Sequence, residues 1–183
     1  MTKIAVHLAE GFEEIEGISI IDVLRRAEFE VITVSVTGDL KVTGSHNIPI
    51  IADELFENID YNRVDMIVLP GGMPGAKNLN ENEGLKKQIL QFNKDAKLLG
   101  AICAAPLVFG EAGILKGKKA TCFPGFEDYL EGATISHEST EIDGNIITGK
   151  GAGVAIDFAL KIVEKLKGEN AAKELAKRMV VKG

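Results

Sequence analysis

The side chains in this sequence best suited to chemistry are a cysteine at a strand end and a carboxylate near the N-terminus. Cys103 follows Leu98-Leu99-Gly100-Ala101-Ile102, precedes a helical pattern with Pro106 in its first turn, and is flanked by Ala101, Ala104 and Ala105. Small neighbours permit a sharp strand-to-helix elbow that holds a nucleophile out of the sheet. A thiol at a helix start also feels the positive dipole end, which favours the thiolate. The same context fits a buried structural cysteine, since a free Cys packs as a small hydrophobe. Gly71-Gly72, after the apolar run Met66-Ile67-Val68-Leu69, offers unhindered backbone N–H groups for a developing oxyanion, or a tight turn needing positive φ. Glu13, Glu14 and Glu16 cluster at a helix start, where carboxylates complement the dipole. Glu13 and Glu14 read as solvated there. Glu16 lies among Ile15 and Ile18, and a buried carboxyl of raised pKa would shuttle protons. His7 reads as a satisfied core histidine, and His46 and His137 as loop or strand-end residues. Cys122 follows another strand end and could approach the same crevice.

These residues need elements to position them. Ile4–Ala9, Phe29–Val36, Asp65–Leu69 and Leu98–Ile102 read as strands, several apolar on both faces. Helical patterns cover 13–27, with Ile15, Ile18, Ile21 and Leu24 as the apolar repeat, and then 83–92, 104–112, 154–166 and 170–179. Buried strands alternating with helices imply an α/β fold, a doubly wound parallel sheet sandwiched by helices. Residues 141–148 break the rhythm as a hairpin with Asp143-Gly144 as a type I′ turn, and another antiparallel excursion is expected between Leu40 and Ile51. In a flavodoxin-like order the first, third and fourth strands are neighbours. Glu10–Glu16, Pro70–Gly75 and Cys103–Pro106 would then share the crevice at the carboxyl ends, where ligands bind.

Composition narrows the function. The chain of 183 residues is one domain's length, 45% apolar and 26% charged, with a net charge of −6, so it can bury a core. That balance disfavours a nucleic-acid partner. No apolar run is long enough to span a bilayer, and the N-terminus enters a strand pattern without signal-peptide architecture. Two cysteines suit a reducing cytoplasm rather than a disulfide scaffold. Three scattered histidines make structural zinc unexpected, and the glycines match neither a dinucleotide fingerprint nor a P-loop. No metal or cofactor is expected.

Gly11-Phe12-Glu13-Glu14-Ile15-Glu16, Val68-Leu69-Pro70-Gly71-Gly72, Ala101-Ile102-Cys103-Ala104-Ala105-Pro106 and Asp157-Phe158-Ala159-Leu160, in that order, resemble the DJ-1/ThiJ/PfpI superfamily over nearly the whole chain. The resemblance is nearest to the subfamily of the Parkinson-disease-linked deglycase and bacterial YajL. It implies a flavodoxin-like cytoplasmic homodimer, with Cys103 the reactive elbow cysteine and Glu16 the protonated glutamate on its sulfur. The Gly72 and Ala104 N–H groups would form the oxyanion pocket. Gly71, His46 and Phe123 are further pocket candidates, His46 and Phe123 standing where the human member has arginine and histidine. Protease-type members carry histidine after the nucleophile; Ala104 here disfavours a peptidase or amidase. The implied activity is glutathione-independent conversion of a small reactive aldehyde, methylglyoxal or glyoxal, or deglycation. The alternative is a redox-sensing stress protein or chaperone that works by oxidation of Cys103.

Overall fold

The computed structural model describes residues 1–181. In chain order the strands are β1 (Lys3–Leu8), β2 (Glu30–Ser35), β3 (Lys41–Thr43), β4 (Pro49–Ile51), β5 (Glu54–Leu55), β6 (Met66–Leu69), β7 (Leu98–Ile102), β8 (Lys119–Ala120), β9 (Thr134–Ile135), β10 (Thr140–Asp143) and β11 (Ile146–Gly149). The α-helices are α1 (Glu14–Arg26), α2 (Gly75–Glu81), α3 (Glu83–Lys94), α4 (Pro106–Glu111), α5 (Ala155–Lys167) and α6 (Glu169–Arg178).

Seven strands form one sheet in the order β10-β11-β7-β6-β1-β2-β5, parallel except for the β10–β11 hairpin. This is the expected mainly parallel α/β arrangement. The pleat divides β6 between two cores: Ile67 and Leu69 pack with Leu79, Ile89, Phe92 and Phe109 on the side of α2, α3 and α4. Met66 and Val68 pack with Ile20, Leu24, Phe158 and Ile162 on the side of α1 and α5. Both faces are therefore dry, which is why the strand reads as an unbroken apolar run. Val6 pairs with Val68 and Val68 with Gly100, so β1, β6 and β7 end side by side at one edge.

Several local expectations change. The buried face of α1 carries Glu16, Gly17, Ile20, Ile21, Val23 and Leu24, whereas Ile15 and Ile18 point to solvent. A strict three-residue repeat drifts around a helix of 3.6 residues per turn, so the 15-18-21-24 series crosses from the wet face to the dry one. Helix α2 was not legible in Gly75-Ala76-Lys77-Asn78-Leu79-Asn80-Glu81, whose Gly and Asn are poor helix formers; burial of Ala76 and Leu79 holds it. Helix α4 starts at Pro106, leaving Ala104 and Ala105 in the elbow. The β10–β11 turn is Gly144-Asn145, with positive φ only at Gly144, the type II′ pattern rather than I′ on Asp143-Gly144. The excursion after Leu40 is the expected antiparallel β3–β4 pair, but β8 and β9 pair in parallel. No described helix is long and apolar enough to cross a membrane.

Candidate active site

Three loops meet where β1, β6 and β7 end. The loop after β1 is stitched to the loop after β6 by Glu13 N–H donating to the Gly71 carbonyl at 2.9 Å and Gly75 N–H donating to the Gly11 carbonyl at 3.1 Å. Glu13 caps α1, its carboxylate accepting from Glu16 N–H at 2.7 Å, which sets the helix register and turns Glu16 inward. Glu16 is 0% exposed. Its Oε2 accepts from Gly71 N–H at 2.7 Å, while Oε1 is buried without a hydrogen-bond partner among the described residues.

Cys103 sits on the elbow at φ 64°, a conformation that costs a non-glycine residue of the order of 1–2 kcal/mol and that gathers at functional sites. The surrounding backbone enforces it: Cys103 N–H donates to the Gly149 carbonyl at 2.9 Å, and its carbonyl accepts from Phe123 N–H at 2.8 Å. Gly71 is required for the approach of the loops, because a Cβ there would lie 2.7 Å from Cys103 Cβ and 2.9 Å from Glu16 Oε2. Gly72, at φ 88°, and Ala104 lie close enough to Cys103 for their N–H groups to lower the pKa of its thiol. The structure thus brings together Cys103, Glu16, Gly71, Gly72 and Ala104.

Burial raises the Glu16 pKa to about 7, against the pull of Gly71 N–H and the Cys103 thiol; the Glu13 charge adds to the rise. Burial pushes the Cys103 thiol up to about 12; Glu16's charge and hydrogen bond add to that, and the Gly72 and Ala104 N–H groups oppose it. This corrects the expectation of a thiolate favoured by a helix dipole. Helix α4 has six residues and begins three positions beyond the sulfur, so its field is small beside a carboxyl in contact. Cys103 and Glu16 titrate as one unit. Removing both protons sets two negative charges side by side in a dry pocket. With one proton retained, the Glu16 O–H can donate to a thiolate, giving nucleophile and acid together.

The remaining candidates are scattered. Glu14 is not the solvated residue expected: it is 6% exposed and accepts from the backbone N–H of His46 at 2.6 Å and of Ile48 at 3.4 Å. Its other oxygen lies 2.8 Å from His46 Nδ1. Burial alone would raise its pKa, yet the bonds from the His46 ring and these N–H groups pull it down to about 2. His46 is exposed, held by Glu14, and 4.0 Å from Glu13, so it stands at the rim and not on the thiol. Glu13, Glu14 and His46 place donor atoms within 4.8 Å of one another, but both Glu14 oxygens are already occupied by N–H donors. Sequence reasoning missed Glu13 and Glu14 because the α1 register was misread; the series Glu16, Ile20, Leu24 would have shown which way the helix start faces. Phe123 is half exposed beside the elbow. Cys122 is 3% exposed and pushed up to about 11 by burial, then by Glu127. Both cysteines are free. His7 is only half satisfied, with Nε2 2.7 Å from the Tyr61 hydroxyl and Nδ1 unpartnered; burial lowers its pKa to about 3, so it is neutral.

Known proteins resemble this chain in sequence and fold. A relative, Protein DJ-1 homolog B of Arabidopsis thaliana, is 40% identical over 180 residues, 98% of this chain and 41% of the plant protein. The chain thus spans less than half the length of that relative. The Glutathione-independent glyoxalase DJR-1.2 of Caenorhabditis elegans is 34% identical over 92% of this chain and 90% of its own. The solved structure of oxidized Toxoplasma gondii DJ-1 superposes with a TM-score of 0.95 at 35% identity, covering 98% of each chain. Residues 2–165 match the model of the DJ-1/PfpI family, and the chain belongs to that family.

Proposed function

We propose that the protein is a glutathione-independent glyoxalase that converts methylglyoxal to lactate at Cys103 and Glu16. The observation that carries this is the buried carboxyl, raised to about 7, against a half-buried thiol on a strained elbow. The thiolate adds to the aldehyde carbon; the C–S bond forms, the carbonyl π bond breaks, and the oxygen takes the Glu16 proton, giving a hemithioacetal. The Glu16 carboxylate next removes the hydrogen from that carbon, and the electrons move into a C=C bond with charge on the ketone oxygen. In this reading the Gly72 and Ala104 N–H groups hold oxyanion charge at this centre. Glu16 returns its proton to the second carbon while the hydroxyl proton passes to the neighbouring oxygen, leaving a lactoyl thioester. Water, deprotonated by Glu16, cleaves the thioester to lactate and restores the thiolate and protonated Glu16. The sum is methylglyoxal plus water to lactate and a proton, with no oxidant. The name of the Caenorhabditis elegans relative supports the reaction. Purified protein should form lactate from methylglyoxal without glutathione, and Cys103→Ala should not; equal lactate from both proteins would end this reading.

A second reading uses the same atoms. Peroxide would oxidise the Cys103 thiolate to sulfenate, releasing water, and a second peroxide would give sulfinate. The unpartnered Glu16 Oε1 and the two N–H groups provide partners for the added oxygens. Intact mass after mild peroxide tests it: a gain of two oxygens on Cys103 supports a sensor role, and a Cys103–Cys122 disulfide rejects it.

The partner in this reading is a second copy of the chain, in a reducing compartment such as the cytoplasm. Ile15, Ile18, Ile48 and Ile156 are exposed, and Ile48 is tied to the start of α1 through Glu14, so apolar surface gathers beside the site.

A further inference from the structure

Phe123 N–H binds the Cys103 carbonyl, and Cys103 N–H binds the Gly149 carbonyl, so the segments that follow Phe123 and Gly149 diverge from the two sides of the nucleophile. Between them lies a shallow, widely open cleft of about 330 Å³, lined by Phe123 and Pro124 and by residues 150–154. Phe123 is 46% exposed, unusual for a phenylalanine, and its ring meets Phe126 in a T-shaped contact at 6.3 Å. Opposite it stand Gly151, Ala152 and Gly153, which bring little side chain into the space. A Cβ on Gly151 would rest 3.4 Å from Phe123 Cδ2, so the glycine leaves the approach to the ring open. Lys150 is the charged residue of the lining, and its ammonium donates to the His137 carbonyl at 3.2 Å.

We propose that this cleft is the subsite for the non-reacting substituent of the aldehyde, and that it selects α-oxoaldehydes bearing a flat apolar group, aryl above methyl or hydrogen. The proposal deepens the glyoxalase reading and rests on it. A cavity of about 150 Å³ already accommodates benzene, so this cleft has room for a phenyl ring. Stacking on Phe123 adds to apolar burial, whereas the hydrogen of glyoxal leaves the cleft to water. One hydrogen bond to a neutral carbonyl leaves Lys150 its charge at the edge of the cleft, so the preference for a flat apolar group rests on the Phe123 ring and the small residues opposite it.

Phenylglyoxal and glyoxal, compared on wild type, Phe123→Ala and Gly151→Ala, test this. The Gly151 backbone is extended, and its added methyl meets the ring at ordinary contact distance, so that variant folds; circular dichroism and thermal melting check both variants. Two quantities are read: kcat/KM for each aldehyde, and protection of Cys103 from iodoacetamide by each aldehyde, which needs no turnover. Incubations are kept short enough that mass spectrometry shows no arginine adduct. The expected result is a phenylglyoxal-to-glyoxal ratio that falls at least about tenfold in each variant, in both readouts where turnover is present. An unchanged ratio in folded variants overturns the subsite. If wild type turns over neither aldehyde, the glyoxalase reading fails, and the protection ratio alone decides the cleft.

Discussion

Cys103 and Cys122 differ in setting more than in sequence. One thiol is half-buried beside a carboxyl and two N–H donors; the other is 3% exposed in the core, beside Glu127. Both thiols are raised, to about 12 and about 11, so access decides: competitive alkylation at neutral pH should label the more exposed Cys103 first, and faster labelling of Cys122 would contradict the site assignment. Glu16→Gln keeps the acceptor for Gly71 N–H but cannot transfer a proton. Its turnover of methylglyoxal should fall by at least about 100-fold, the scale of general acid–base catalysis. The same variant carries a stability signature. The folded pKa of Glu16, about 7, lies above its ordinary 4.5, so the native state holds the proton longer than the unfolded chain. Wild-type stability is thus taxed progressively as pH rises from about 4.5 towards 7, by up to about 3 kcal/mol. Urea unfolding should show Glu16→Gln losing that downward slope; identical slopes in both proteins would mean that Glu16 is not held protonated.

At the scale of elements, the start of α1 is locked by Glu14, which gathers the loop between β3 and β4 through the N–H groups of His46 and Ile48. Its folded pKa, about 2, lies below the ordinary value, so its contribution is complete above about pH 4.5 and is lost as pH falls towards 2. Glu14→Gln should cost about 2 kcal/mol at pH 7, on the scale of hydrogen bonds to a charged group, and the gap from wild type should narrow between pH 4.5 and 2. Chemical denaturation at several pH values reads this directly. A gap that is constant with pH would show that the carboxylate charge does not hold the loop. Helix α1 thus positions the site from both ends of one turn: Glu13 and Glu14 fasten the backbone, and Glu16 enters the pocket.

For the whole molecule, the outer face of α1 is an apolar surface. Ile15 and Ile18 are 58% and 44% exposed, and Ile156 is 38% exposed on the neighbouring α5. Stable interfaces bury roughly 800 Å² per partner, and a patch of branched aliphatics next to a reactive site suits a second copy. Sedimentation equilibrium should give a dimer for wild type and a monomer for Ile18→Lys, with the far-ultraviolet spectrum unchanged. A monomeric wild type at micromolar concentration would remove the dimer from the account.

The sheet was legible in the sequence because buried parallel strands must be apolar on both faces; Met66-Ile67-Val68-Leu69 and Leu98–Ile102 admit few other readings. The elbow was legible at Cys103 because its small neighbours and Pro106 are local requirements of a sharp turn into a helix. What local pattern could not supply was the rotation of α1. Ile15 and Ile18 are as apolar as the buried Ile20, Ile21 and Leu24, and only packing against β1, β6 and α5 chooses between them. That choice buries Glu16, ties down Glu14 and exposes Ile15 and Ile18 together. The charge state of the thiol was likewise beyond local reading. A helix start argues for thiolate, but the proton is governed by the desolvation and the carboxyl that tertiary contact places against the sulfur. Residue types named the chemical groups of this protein; the three-dimensional approach of β1, β6 and β7 decided which of them share a proton.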